Sequence, residues 1–257
     1  MTAPSAVAAL VEHTETARSQ YSPGGYPDFA GDPEANALIV NEPLAFLLAV
    51  LFDEGQAAEL VWRYPLTLKS ALDSISVAFS AEGIASMGIA QLVGVFKATT
   101  PRLRFPSKFA KYALRMAQDL VADYEGNPEH LWADEPGAGE LQKRFDRFYG
   151  IGQKKASMAT NILARDLGAP IGDRSALDVS GDKHVRQVFL RAGIVEDDSV
   201  ASVVGAARLL HPSYPGELDL GAWDIGRRYC HNAEPKCGDC PLGAICPKRT
   251  WLIASSF

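Results

Sequence analysis

The sequence predicts an all-α protein, and three observations predict it. Apolar residues recur at helical spacing along most of the chain. Clusters of proline and glycine cut that pattern into segments of helix length. Period-two alternation of β-branched residues, the mark of a half-buried strand, is hard to find. Together they give about ten helices with no internal repeat and no low-complexity tail.

The elements follow in order. Residues 5–18 read as one helix, and the stretch to residue 40, with Pro23-Gly24-Gly25 and Pro33, as a loop. Pro43 to Phe52 is the longest strongly apolar run, half of what a membrane span needs. Residues 74–96 are apolar overall but have Asp73 in front and Glu82 inside, which makes them core helix material. After Pro101 and Pro106, the residues Phe109, Ala113, Met116, Ala117 and Leu120 line one face of a helix. Leu141, Phe145 and Phe148 mark a short helix after Pro136-Gly137. Ala156, Ala159, Ile162 and Leu163 mark another after Gly150 and Gly152. Val185, Val188, Phe189 and Ala192 follow the Gly168–Gly172 break, and Pro212 and Pro215 punctuate the rest.

A chain of 257 residues forms one large domain or two closely joined ones. It shows no basic region followed by a compact apolar stretch at its start, so no secretory signal is expected. The formal charge of −6 speaks against a nucleic-acid partner, but its distribution does not. Residues 1–60 hold nine acids and one base, which leaves 22 acids and 24 bases in the remainder. Lys97, Arg102, Arg104, Lys108, Lys111 and Arg115 fall in a stretch without any acid. Such a stretch either neutralises phosphates or is a solvated helix face. All four cysteines lie between positions 230 and 246, which points to a metal site in a reducing compartment rather than to a disulfide framework. No membrane contact is expected.

Phe148-Tyr149-Gly150-Ile151-Gly152-Gln153-Lys154-Lys155-Ala156 stands between two predicted helices. Glycines allow close backbone approach and positive φ, and the amides opening the second helix suit a phosphate oxygen. A plain structural turn has the same pattern. The segment resembles the helix-hairpin-helix of the endonuclease III family of DNA glycosylases, Leu-Pro-Gly-Val-Gly-Arg-Lys-Thr-Ala. Gly150 and Gly152 stand at its glycines, Gln153 at its arginine and Lys154 at its catalytic lysine. The resemblance implies that the Lys154 amine attacks the sugar C1′, expels a damaged base and forms a Schiff base that undergoes β-elimination. Such a lysine needs partial burial or a cationic neighbour, and Lys155 is adjacent and is itself an expected DNA contact. Lys154 also reads as a plain phosphate contact.

The family carries an aspartate soon after the hairpin, and Asp182-Lys183-His184-Val185-Arg186 resembles that segment, with its arginine one residue early. Asp182 would stabilise charge at C1′ or help activate the nucleophile; its residue type alone also suits a helix N-cap. Its separation from Lys154, 28 residues, is longer than in the family, with the excess in residues 169–181, and Asp178 is the second candidate.

Cys230, Cys237, Cys240 and Cys246 are spaced Cys-x6-Cys-x2-Cys-x5-Cys. Four thiolates suit a [4Fe-4S] cluster or a tetrahedral zinc. The spacing matches the family's iron–sulfur loop, as does the approach Gly226-Arg227-Arg228-Tyr229, so the resemblance implies [4Fe-4S] with a structural role. The loop it would shape carries Lys236 opposed by Glu234, fewer bases than in the family, so weaker DNA binding is expected.

Base extrusion needs side chains that fill the gap left in the duplex. Leu44–Phe52 resembles the helix that precedes the family's inserted glutamine, and Gln56 is its nearest equivalent, out of strict register. Leu103-Arg104-Phe105-Pro106-Ser107-Lys108 resembles the second wedge loop, with Leu103 or Arg104 as the wedge and Lys108 at the family's lysine. Leu103 also reads as core.

The resemblance covers residues 40–250 and implies two helical lobes with a DNA cleft between them. The expected division is an N-terminal helix and loop (1–40) packing on the cluster lobe, a barrel lobe (41–165) with the hairpin at 141–165, and a cluster lobe (166–257). The implied partner is duplex DNA with damaged bases, oxidised pyrimidines first, or abasic sites, bound by a cytoplasmic, nucleoid-associated monomer. A mismatch adenine glycosylase fits less well, because that branch lacks the lysine and carries a further C-terminal domain, whereas this chain ends at Phe257. The second reading is a DNA-binding protein of the same fold without base excision. An electron carrier of ferredoxin type has no use for a hairpin and a basic helix.

Overall fold

The computed structural model describes residues 3–22 and 27–248; Pro23-Gly24-Gly25 lies outside the described residues. Among the described residues there are twelve α-helices, one 3-10 turn and no strand. Among them, no single helix is long and apolar enough to cross a membrane. The chain divides into two units. One comprises Met1–Gly24, Gly137–Gly139 and Gly172–Phe257, the other Gly25–Pro136 and Glu140–Ile171.

The first unit is built around four helices, α1 (Ala3–Tyr21) and, from the C-terminal part, α10 (Lys183–Arg191), α11 (Val200–Leu210) and α12 (Glu217–Arg228). The α12 helix packs against both α1 and α10. Small residues make that possible. A Cβ on Gly221 would lie 2.6 Å from the Leu10 carbonyl, and one on Gly226 would lie 2.6 Å from the His184 Cβ. Thr14 then bridges the close approach, accepting from Gly221 N at 3.2 Å and donating to Glu217 O at 2.9 Å. Buried Asp224 closes it, accepting from Tyr21 (2.8 Å) and Arg228 (2.8 Å) and pairing with His13 (2.9 Å). The C-terminal end of α12 leads directly into Cys230.

The second unit carries α2 (Pro33–Asn41), α3 (Pro43–Phe52), α4 (Ala58–Asp73), α5 (Ala81–Ala85), α6 (Ile89–Ala98), α7 (Pro106–Tyr124), most of α8 (Ala138–Asp146) and α9 (Gln153–Arg165). Its centre is α3, in which every residue from Leu44 to Phe52 is buried. Phe52 meets Tyr64, Phe96 and Phe109 edge-on at 5.4–5.7 Å, an arrangement favoured by the ring quadrupoles. The basic helix α7 buries Phe109, Ala113, Met116, Ala117 and Leu120 and leaves Lys111 and Arg115 in water.

One expectation is corrected. The stretch before residue 40 is not only loop. Asp32 accepts from Glu34 N (3.1 Å) and Ala35 N (3.0 Å), Pro33 takes the first helical position, and α2 forms. It packs on α3 and α4, so residues 33–41 go with the second unit rather than with α1. Residues 74–96, read as core helix material, contain more than one helix. Ser80 caps α5 and Gly88 stands before α6, so that apolar stretch folds as two short helices.

Candidate active site

The hairpin joins α8 to α9. Phe148 and Ile151 turn inward and are buried, which fastens the turn to the core of its unit. Of its two glycines only Gly150 has positive φ (98°), and a Cβ there would lie 2.4 Å from the Tyr112 ring. Gly150 is therefore fixed by backbone strain and by packing at once. Gly152 has ordinary extended backbone, with no atom within 4 Å of a Cβ placed on it. It caps α9 without offering a side chain to the first-turn amides, the arrangement that suits an outside anion. Gln153 opens α9, exposed, and its amide donates to Ser157 Oγ at 3.2 Å.

Lys154 and Lys155 follow on adjacent positions and have opposite environments. Lys154 has a side chain 40% exposed, with Nζ 3.2 Å from Asp53 Oδ2. Lys155 is 7% exposed and donates to Leu51 O (2.6 Å) and Gly150 O (3.0 Å). Burial pushes its ammonium down to about 8; the charges of Glu54 and Asp53 oppose this, and those of Lys154 and Lys108 add to it. The expectation that Lys155 contacts DNA is thus corrected: its cation is spent on two carbonyls and holds the turn to the end of α3. Lys108 donates to Glu54 (2.6 Å), and that hydrogen bond, with the charges of Lys155, Lys108 and Lys154, holds the Glu54 carboxyl below its ordinary value.

Asp182, in the other unit, is the N-cap of α10 and accepts from His184 N at 2.8 Å. His184 is half-buried, its ring hydrogen-bonded to the Gly226 backbone, and burial is the main force holding its imidazolium below the ordinary value. Asp178 is nearly buried and gripped by Arg208 through two bonds of 2.7 and 2.8 Å.

The four cysteines end the first unit's described core, with Cys230, Cys240 and Cys246 packed against it. Among the described residues no three of His, Cys, Asp or Glu stand at metal-holding distance. The thiols nonetheless feel one another. Burial raises the Cys240 and Cys246 thiols first, and repulsion from the other cysteines adds to it. The wrapping loop is tight, since a Cβ on Gly243 would meet the Cys237 carbonyl at 2.2 Å. Arg191 donates to Cys230 Sγ (3.4 Å) and to His231 O (2.7 Å), and Lys248 N to Cys246 Sγ (3.3 Å). N–H groups directed at sulfur are what thiolate ligands require, and the donor set fits an iron–sulfur group. Lys236 is exposed on the loop between the first two cysteines.

A likeness to solved structures runs over nearly the whole chain. A trapped endonuclease III–DNA covalent intermediate superposes with a TM-score of 0.66 at 16% identity, covering 96% of this chain and 97% of that one. The chain has the endonuclease III fold. A non-covalent endonuclease III–DNA complex matches at TM-score 0.65 and 17% identity over 96% of both chains. A thermostable thymine-DNA glycosylase matches at 0.59 and 15% over 93% of both. No family profile matches the chain, and no curated protein matches it.

Within this endonuclease III fold the two segments expected to carry wedge residues meet. Gln56 Oε1 accepts from the Arg104 backbone N, and Arg104 Nη1 reaches Gly55 O at 3.4 Å. The Arg104 guanidinium lies 5.2 Å from the centre of the Phe105 ring, and both residues are exposed. Leu103 is 1% exposed, which corrects its reading as a wedge: its side chain is core, and Arg104 is the exposed candidate. Sequence reasoning missed Asp53, Glu54 and Tyr112. Two carboxylates directly after a fully apolar helix were the available signal for the first two. Nothing in the sequence marked Tyr112, whose ring fills the space left by Gly150 and meets exposed Tyr149 edge-on at 4.9 Å.

Proposed function

We propose that this chain is a DNA glycosylase with AP-lyase activity, excising damaged bases, oxidised pyrimidines first, from duplex DNA. The observation that carries the reading is Lys154: a Gly-Ile-Gly turn fixed in the core delivers an accessible lysine to the opening of a helix, beside a carboxylate. The resemblance of the hairpin and the likeness to a trapped endonuclease III–DNA covalent intermediate support it.

In this reading the Lys154 amine attacks C1′ and the base leaves with the bonding electron pair; the nitrogen lone pair then opens the C1′–O4′ bond, O4′ leaves as a hydroxyl, and the resulting iminium loses a C2′ proton as the 3′ phosphate departs. Asp182 is the carboxylate that stabilises positive charge developing at C1′. The opening of α9 at Gly152 and Gln153 takes a backbone phosphate. Arg104 and Gln56, joined to each other, enter the gap left by the extruded nucleotide. His184 and Lys236 remain candidate DNA contacts. Cys230, Cys237, Cys240 and Cys246 hold a [4Fe-4S] cluster, which supplies structure to the loop bearing Lys236. The protein acts as a monomer.

The test is strand scission on duplexes carrying an abasic site, thymine glycol or no damage. Wild type cuts the first two. Lys154→Ala abolishes scission with duplex binding retained, and Asp182→Asn slows it by about 10²-fold or more. Iron and sulfide accompany the wild-type protein and are lost in Cys240→Ser. Duplex binding without scission in wild type would make the chain a DNA-binding protein of this fold, and zinc in place of iron would refute the cluster.

A further inference from the structure

We propose that Asp53 is the proton acceptor for the Lys154 amine, an inference that rests on Lys154 being the nucleophile. Asp53 follows the last residue of α3, whose nine preceding residues are all buried, and its backbone N–H is bonded to Val50 O. Its carboxylate is thus mounted on one of the most completely buried helices of the unit. The side chain is 15% exposed and lies 3.2 Å from Lys154 Nζ.

The charges around it are already sorted. Glu54 takes Lys108 at 2.6 Å and stands 3.8 Å from Lys155, while Lys155 spends its ammonium on the Leu51 and Gly150 carbonyls. Asp53 meets Lys154 at hydrogen-bonding distance.

An ammonium has no lone pair to give, so one proton must leave Nζ before it bonds to C1′. Asp53 Oδ2 takes that proton and becomes the neutral acid. On an abasic site, Nζ then adds to the C1′ aldehyde and yields a carbinolamine. The acid returns its proton to the carbinolamine hydroxyl, which leaves as water while the nitrogen lone pair closes the iminium. Ammonium and aldehyde have become iminium and water, with the Asp53 carboxylate restored and no redox partner required.

A merely electrostatic Asp53 predicts the opposite of this role. A neighbouring anion favours the ammonium, so deleting it frees the amine and speeds attack at neutral pH. A proton acceptor, when deleted, slows it.

The experiment is single-turnover borohydride trapping on an abasic duplex between pH 6 and pH 9.5 (about the range that separates these cases), for wild type, Asp53→Asn and Asp53→Ala. At neutral pH Asp53→Asn traps about 10²-fold more slowly, and the deficit narrows as rising pH supplies free amine. Added formate restores much of the rate of Asp53→Ala, which also establishes that this variant is folded. Asp53→Asn trapping as fast as wild type, or faster, overturns the proposal while leaving Lys154 as nucleophile. Slow variants that formate does not restore also overturn it, as loss of structure. No adduct with wild type removes the proposal together with the lyase reading.

Discussion

Residues that sit side by side in the sequence can be assigned opposite tasks by burial alone, as Lys154 and Lys155 are. Lys155 gives its charge to two carbonyls inside the unit, and this fixes the turn from which Lys154 projects. The arrangement costs stability. The Lys155 pKa falls from an ordinary 10.5 to about 8, so between these values the unfolded chain binds more protons than the folded one. Stability due to this group therefore rises with pH from about 8 to about 10.5 and is lowest below that window; its size is about 3 kcal/mol. The rise is absent in Lys155→Met. Urea unfolding of the two proteins from neutral pH to pH 10.5, taken as a difference, checks this, and parallel curves would contradict it. In the sequence both lysines look like phosphate contacts, because only the packing of α3 behind the turn distinguishes them.

At the scale of elements, α12 decides where the cysteine loop begins, and its place is set by contacts remote in sequence. Gly221 and Gly226 let α1 and α10 come close, and Asp224 locks α1 down through His13 and Tyr21, while Arg228 pairs with it from the same helix. Burial alone would raise the Asp224 carboxyl, but the hydrogen bonds of His13 and Tyr21, with the charge of Arg228, outweigh it and hold it below its ordinary value. A depressed acid contributes stability above its unfolded pKa and loses it as pH falls through the folded one. Asp224→Ala accordingly loses about 3 kcal/mol near neutral pH, and the loss shrinks in acid. Denaturant melts at neutral and acidic pH measure it; an equal loss at both would contradict the assignment. The helices α7, α9 and α10 were legible because their apolar spacing coincides with burial. The helix α2 was not, because Pro33 reads as a break until Asp32 is seen to cap the helix that it opens.

At the scale of the whole molecule, the fold was legible from motifs rather than from composition. The acidic total argues against DNA, while the Gly-Ile-Gly turn and the cysteine spacing carry the resemblance, and the superposition with endonuclease III structures agrees with it. The site was legible in part. The Lys154 side chain is 40% exposed at the opening of α9, Asp182 caps α10, and Gln56 is bonded to Arg104, while the roles proposed for them await the experiments above. Asp53 escaped because it lies 101 residues from Lys154 and no local pattern links them. For Leu103 the sequence left wedge and core both open, because one residue of register separates core from surface in that loop. The central claim is that the Lys154 amine bonds to the deoxyribose. Its most direct test is to trap the protein on an abasic duplex with borohydride, digest the complex and locate the modified residue by mass spectrometry. The account predicts the sugar on Lys154 alone. A sugar on Lys155 or on another lysine, or no adduct from a protein that still binds the duplex, would contradict it.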